Sequence, residues 1–226
     1  MKIMAIVVNG ALKNITRLIC RIDAKQLARV PQTGPLILVS NHINFLEVPL
    51  VYTHLLPRPI TGFAKSETWD NPLMAYLFDL WEAIPLHRGE ADMAAIRSGL
   101  EALEAGKILA VTPEGTRSGH GRMGVGHPGI SLLALQSHAP LLPLVYYGGE
   151  RFRQSISKIQ RTDFHISVGN PFFVNSRDSK ISRLLRRRIT DEIMYQLAAL
   201  LTPYYRGHYA DLTNASEYFL DFPSDS

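Results

Sequence analysis

The chain has one cysteine, Cys20, in 226 residues. An internal disulfide is therefore excluded, a cysteine-built zinc site lacks its ligands, and a reducing compartment suits the sequence. No apolar run approaches the roughly 20 residues that span a bilayer. Met1 to Val8 is too short to span one and no small-residue cleavage site follows it, so neither a signal peptide nor a transmembrane helix is expected. There is no His-Glu-x-x-His string, and the eight histidines are scattered, so no metal site is expected. A Gly-x-Ser-x-Gly elbow is also missing, which argues against a serine hydrolase. Gly119-His-Gly-Arg-Met-Gly124 fits the three-glycine dinucleotide pattern, but it follows no predicted strand and opens no predicted helix. It reads instead as a flexible glycine loop near the site described below.

What is present is ordinary globular composition, with 46% hydrophobic and 19% charged residues, in a length that suits one domain with its own core. Basic side chains outnumber acidic ones by 24 to 20. The stretch from Pro203 onward holds one basic residue and four acids, so the basic surplus is concentrated in the body. Such a surplus suits anionic partners: a lipid headgroup surface, a phosphorylated substrate or nucleic acid. Arg183, Arg186, Arg187 and Arg188 cluster near the end of the chain, with few aromatics between them. They suit anionic lipid, an acidic carrier protein or RNA, with a solvated helix face as the plainer reading, and the scarcity of aromatics weakens the nucleic-acid one.

Residues 3 to 19 space Met4, Val7, Val8, Ala11, Ile15, Leu18 and Ile19 at helical period, with Lys13, Arg17 and Arg21 on one flank. An apolar stripe beside a cationic flank suits a helix lying in a membrane interface, or one packed on its own domain. Short β-branched runs predict strands at 36–40, 60–64, 107–112, 140–147 and 164–168. Helical patterns fall at 45–56, interrupted near Pro49, and at 93–105, 132–137 and 179–201. On the last helix, Ile181, Leu184, Leu185, Ile189, Ile193 and Leu197 are expected on one side. Cys20 is placed inside an apolar helix, as core. Alternation of strand and helix predicts a single α/β domain with a mostly parallel central sheet flanked by helices. The expected organisation is an amphipathic segment 1–30, a catalytic-type domain 31–202 and an acidic, aromatic appendage 203–226.

Three segments carry chemistry. Ser40-Asn-His-Ile-Asn-Phe-Leu-Glu-Val-Pro49 puts His42 at the carboxyl end of a buried strand, where open α/β sheets place ligands. Glu47 follows five residues later, within reach of the imidazole. A carboxylate that orients a histidine equips it to take a proton from an alcohol, although a histidine hydrogen-bonded to a nearby acid is also a common structural pair. Val111-Thr-Pro-Glu-Gly-Thr-Arg-Ser118 packs an acid, a glycine, hydroxyls and an arginine after another strand. Glycine admits close backbone approach and arginine offers paired donors to a phosphate. Lys65, after Phe63-Ala, and Arg88, closing Ile84-Pro-Leu-His, are basic side chains just beyond apolar runs.

Together these blocks resemble the glycerolipid acyltransferase family of the 1-acylglycerol-3-phosphate acyltransferase type. The resemblance covers four ordered blocks from about Gly34 to Tyr147: Asn41-His42 with Glu47, then Lys65 and Arg88, then Pro113-Glu-Gly-Thr-Arg-Ser118, then Pro140-Leu-Leu-Pro-Leu-Val145. It implies transfer of a fatty acyl group from acyl-CoA or acyl-carrier-protein to the hydroxyl of a lysophosphatidic-acid-like acceptor, in phospholipid biosynthesis. His42 would be the general base and Glu47 its orienting acid. Glu114, Gly115 and Thr116 would line the acceptor site, and Lys65, Arg88 and Arg117 would hold its phosphate. No cofactor is implied beyond the thioester co-substrate. The implied location is peripheral, on the cytoplasmic face of an anionic membrane, with a carrier protein as a further partner and no nucleic acid. Two departures stand out: the family has aspartate where Glu47 stands, and often a lysine where His127 precedes Pro128-Gly129. The rival readings are a catalytically silent lipid-binding homologue and a thioesterase or esterase.

Overall fold

The computed structural model describes residues 3–87, 92–177 and 180–223. Its elements in chain order are α1 (Ile3–Ile19), β1 (Cys20–Asp23), β2 (Leu36–Ser40), α2 (Glu47–His54), β3 (Ile60–Lys65), α3 (Pro72–Leu80), β4 (Ile84–Leu86) and α4 (Met93–Glu104). There follow β5 (Ile108–Val111), α5 (Gly129–Ser137), β6 (Leu141–Tyr147), α6 (Phe152–Ser157), β7 (Thr162–Val168), β8 (Phe173–Val174), α7 (Arg183–Ala199) and β9 (Leu220–Asp221). Seven strands form one sheet in the order β1-β7-β6-β2-β5-β3-β4, and β8 pairs with β9 in a separate ribbon. Neighbours in the large sheet run parallel except β6 and β7. The expected α/β architecture is thus the observed one.

The central strand β2 shows why the sheet is covered on both faces. All five of its residues are buried, and its side chains alternate between two cores. Leu36 and Leu38 join Leu50, Leu142 and Leu144 on the side of α1 and α2. Ile37 and Val39 join Leu133, Leu141, Ile189 and Ile193 on the side of α4, α5 and α7. Each such fully buried aliphatic side chain contributes about 1.5–3 kcal/mol from surface removed from water.

Local chemistry sets the helix ends. Asp92 caps α4 by accepting the amide of Ala95 at 2.9 Å, and Gly106 ends that helix with a left-handed φ of 74°. Pro49 does not interrupt α2, because it lies in the first turn, where an amide hydrogen has no intrahelical partner to lose. The last helix begins at Arg183 because Ser182 caps it, its Oγ accepting the amide of Leu185 at 3.0 Å. The stripe expected there is corrected in part: Ile181 precedes the helix, and both it and Leu184 are exposed. Met194 and Ala198 complete the buried side with Leu185, Ile189, Ile193 and Leu197. Cys20 is core, but it opens strand β1 rather than sitting in a helix. Burial pushes its thiol up to about 11.

Neither terminal segment stands apart. Residues 20–23 pair with β7 inside the main sheet. The C-terminal stretch expected as an appendage buries Tyr209, Phe219 and Leu220, and the Glu192 carboxylate accepts the amide of Phe219 at 2.8 Å. Arg187 is held by Asp191 at 2.8 Å and donates to the carbonyl of Gly126, while Arg188 lies over the Phe219 ring. That accounts for part of the arginine cluster without a ligand.

Helix α1 packs in an unexpected sense. Its buried residues are Ala5, Asn9 and Thr16, and Asn9 accepts the indole N–H of Trp81 at 2.9 Å. Ile3, Met4, Ile6, Val7, Ile15 and Leu18 are exposed. The helix thus packs inward through Ala5, Asn9 and Thr16 together with the half-buried Leu12 and Ile19, and leaves most of its aliphatic side chains outside. Among the described residues no helix is long and apolar enough to cross a membrane.

Candidate active site

The site begins where β2 ends. Asn41 is buried and its amide side chain exchanges two hydrogen bonds with the backbone of Tyr146, donating to the carbonyl at 2.9 Å and accepting the amide at 2.8 Å. This staples the loop after β2 to strand β6. Asn44 does similar work three residues on, accepting the amide of Leu46 at 2.8 Å and donating to the carbonyl of Gly149 at 2.6 Å. His42 therefore stands on a loop fixed at both ends.

Glu47 is the first residue of α2 and is buried. One carboxylate oxygen accepts the amides of Ile43 at 2.7 Å and Asn44 at 2.8 Å. The other lies 2.6 Å from Nδ1 of His42. Unpaired amides at a helix start favour a negative charge there, which compensates the burial of the carboxylate. The His42 side chain keeps 14% of its surface exposed, against 4% for Glu47. With Nδ1 engaged by a carboxylate, Nε2 is the nitrogen left to accept a proton. The longer glutamate side chain therefore does not break the contact: here the loop and helix start are spaced to suit it.

The second block meets the first through the backbone. Ser118 donates its amide to the carbonyl of His42 at 2.8 Å, and Gly119 donates to that of Ile43 at 3.0 Å. Glu114, expected to line an acceptor site, is buried instead and braces the loops. Its two oxygens accept the amides of His42 at 2.8 Å and Gly124 at 2.6 Å. Burial pushes its carboxyl above the ordinary glutamate range, and the two amides oppose that shift. The glycine segment 119–124 is fastened to the site by these bonds and by the amide of Gly121 on the Ser118 hydroxyl. Gly121 has a φ of 82°, and a Cβ there would lie 3.0 Å from the Tyr205 ring, so the turn requires glycine.

Gly115, Thr116 and Arg117 are exposed on the turn beside His42, and Gly115 has a φ of 65°. His127 covers this turn, with ring atom Cδ2 3.2 Å from where a Gly115 Cβ would stand. Lys65 is exposed at the carboxyl end of β3, with β5 lying between β3 and β2. It shares the sheet end with His42 but stands two strands away. Arg88 lies outside the described residues. The structure thus brings His42, Glu47, Glu114 and the 115–119 turn together. Asn41, Asn44 and Gly124 belong to the same bonded frame and were missed from sequence, since their partners lie as far as 105 residues along the chain.

The model of the acyltransferase family matches residues 21–147, more than half of the chain. The chain belongs to that family. Among its relatives, a 1-acyl-sn-glycerol-3-phosphate acyltransferase of Limnanthes alba is 38% identical over 116 residues, covering 50% of this chain and 41% of that protein. The chloroplastic 1-acyl-sn-glycerol-3-phosphate acyltransferase BAT2 of Brassica napus is 24% identical over 162 residues, 69% of this chain and 46% of that one. The chain thus spans less than half the length of these curated relatives. The crystal structure of the 1-acyl-sn-glycerophosphate acyltransferase PlsC from Thermotoga maritima superposes with a TM-score of 0.63 at 20% identity, covering 84% of this chain and 76% of that one. That likeness shows the family fold. The matched span contains the His42 loop, the 113–118 turn and strand β6, so the family resemblance and the bonded frame coincide in the chain.

Proposed function

We propose that this chain transfers a fatty acyl group from a thioester donor to the hydroxyl of a lysophosphatidic-acid-like glycerol phosphate, in phospholipid synthesis. The observation that carries this reading is the 2.6 Å contact between His42 Nδ1 and Glu47, in a loop held rigid from both sides. The hydroxyl gives its proton to Nε2 of His42 as its oxygen attacks the thioester carbonyl carbon. Glu47 stabilises the imidazolium that forms. The carbon–sulfur bond then breaks, and the departing thiolate takes the proton from His42, leaving an ester and a free thiol. A thioester is already activated, so these steps call on no cofactor beyond the donor itself.

Arg117, exposed on the turn beside His42, is assigned to the acceptor phosphate, for which a guanidinium provides paired donors. Gly115 and Thr116 border the same place. Lys65 and Arg88 are kept as further phosphate partners on the family resemblance. Glu114 acts by holding the amide of His42, as a positioning group. The work is assigned to a membrane surface, with the exposed aliphatic side chains of α1 against acyl chains and the exposed Arg17 near anionic headgroups, while Arg21 lies in β1 beside Asp163 and not on the helix flank.

The test is to incubate the purified protein with palmitoyl-CoA and lysophosphatidic acid. Phosphatidic acid is the expected product, and it should vanish in His42→Ala while the fold persists by circular dichroism. Free fatty acid as the sole product would make the protein a hydrolase. Lipid binding with no turnover would make it a silent homologue.

A further inference from the structure

Beside the His42 loop lies a cleft of about 910 Å³ whose residues the acyl-transfer steps do not use. It opens at the same end of the sheet as His42, where β6 finishes at Tyr147 and β7 begins, with Tyr147 opposite His165 in register. Its basic side chains are Arg21, Arg151, Lys158, Arg161 and His165, against one acid, Asp163. The acid is shared with Arg21 at 3.6 Å, on side chains that are mostly exposed, so it offsets little of the charge. Tyr147 and His165 stack at 4.8 Å with their planes 12° apart, and the Tyr205 ring stands 5.7 Å from that of Tyr147. Cations and half-buried flat rings therefore share one recess.

Resting on the acyl-transfer reading above, the geometry points to this cleft as the seat of the phosphorylated adenosine end of a coenzyme A thioester. The rings offer a stacking surface for a purine, and the arginines and lysine match phosphate groups. The volume lies in the range of small-molecule sites. A purine with several phosphates engages both the rings and the cations, whereas a lipid headgroup or the single phosphate of a carrier-protein arm engages the cations alone.

The path to the catalytic loop is short. Gly148 and Gly149 follow Tyr147, and Gly149 accepts the hydrogen bond from Asn44, two residues beyond His42. Gly148 has a φ of 90°, and a Cβ there would fall 2.2 Å from the carbonyl oxygen of Asp163, so the chain passes here only as glycine. Tyr205 donates its hydroxyl to Oε1 of Glu150 at 2.8 Å. The other oxygen, Oε2, is buried against Gly121, so Glu150 fastens Tyr205 to the turn that the pantetheine arm has to cross to bring its thioester to His42.

Arg161 is unsuitable for a test, because it donates to the carbonyls of Arg17 and Cys20 and ties down the end of α1. Arg151 and Lys158 are exposed; Arg151 makes a loose 3.8 Å pair with Glu150, which contributes little at such an exposed side chain. In the doubly substituted R151A/K158A protein, KM for palmitoyl-CoA should rise about tenfold or more. KM for the lysolipid and kcat at saturating donor should stay within about twofold. Turnover of palmitoyl-pantetheine, which lacks the nucleotide, should match wild type. Coenzyme A without an acyl group should bind wild type in calorimetry and bind the variant about tenfold more weakly. An equal loss with both donors, a loss of vesicle binding in the variant, or failure of wild type to bind coenzyme A would overturn the assignment. The calorimetry needs no turnover, so a chain that binds coenzyme A yet transfers nothing would discard the catalytic reading and keep the cleft.

Discussion

The carboxylate of Glu47 serves two masters at once: one oxygen lies 2.6 Å from Nδ1 of His42 while the other takes the amides of Ile43 and Asn44. A side chain one carbon shorter cannot hold both sets of partners without moving the helix start. Glu47→Asp should therefore lower kcat by about tenfold or more, and Glu47→Gln, which loses the charge facing the imidazolium, by about 10³–10⁴. Steady-state kinetics check both. An aspartate variant as fast as wild type would show that the glutamate's reach is not needed.

Glu114 sets burial against two amide donors, and burial wins. Its carboxyl midpoint in a ¹³C NMR titration should lie above 4.5. A folded value raised over the unfolded one means that the stability attached to this group is full below the unfolded value and is lost as pH rises through the folded one. A midpoint below 4.5 would mean that the amides of His42 and Gly124 outweigh the loss of water.

Arg117 is assigned to the acceptor alone. Arg117→Ala should raise KM for lysophosphatidic acid about tenfold and leave KM for the donor unchanged. A matching rise for both substrates would remove it from the phosphate.

Gly62 in β3 faces Ala110 of β5, and a Cβ there would come 2.8 Å from the Ala110 carbonyl oxygen. That neighbour is backbone and cannot swing away. Gly62→Ala should destabilise the fold by about 1–3 kcal/mol in urea denaturation, and an unchanged midpoint would contradict the packing.

Ile6 and Val7 project from the outer side of α1, where both are exposed. Replacing both with glutamate should weaken association with anionic vesicles by about tenfold or more, with melting unchanged. Co-sedimentation measures this. Retained binding would move the membrane contact elsewhere.

Strand β2 was legible because five consecutive apolar or β-branched residues sit between turn signals, and α4 because its apolar period ends at a glycine. Such signals are local. Strand β1, only Cys-Arg-Ile-Asp, has no pattern of its own and exists because β7 pairs with it. Helix α3 was hidden behind the Trp-Asp-Asn-Pro turn and has no residue buried deeply enough to reveal a face.

The linear order of amino acids alone determined the class of fold, the family and the identity of the His42, Glu47 and 113–118 blocks, since each is written in contiguous residues whose chemistry is recognisable by itself. Only the folded chain decided that Glu114 is a brace, that α1 leaves most of its aliphatic side chains exposed, and that residues 21, 147, 165 and 205 meet around one recess. Those are facts about partners far apart in sequence, and nothing local encodes a distance that exists only after the sheet has brought its strand ends together.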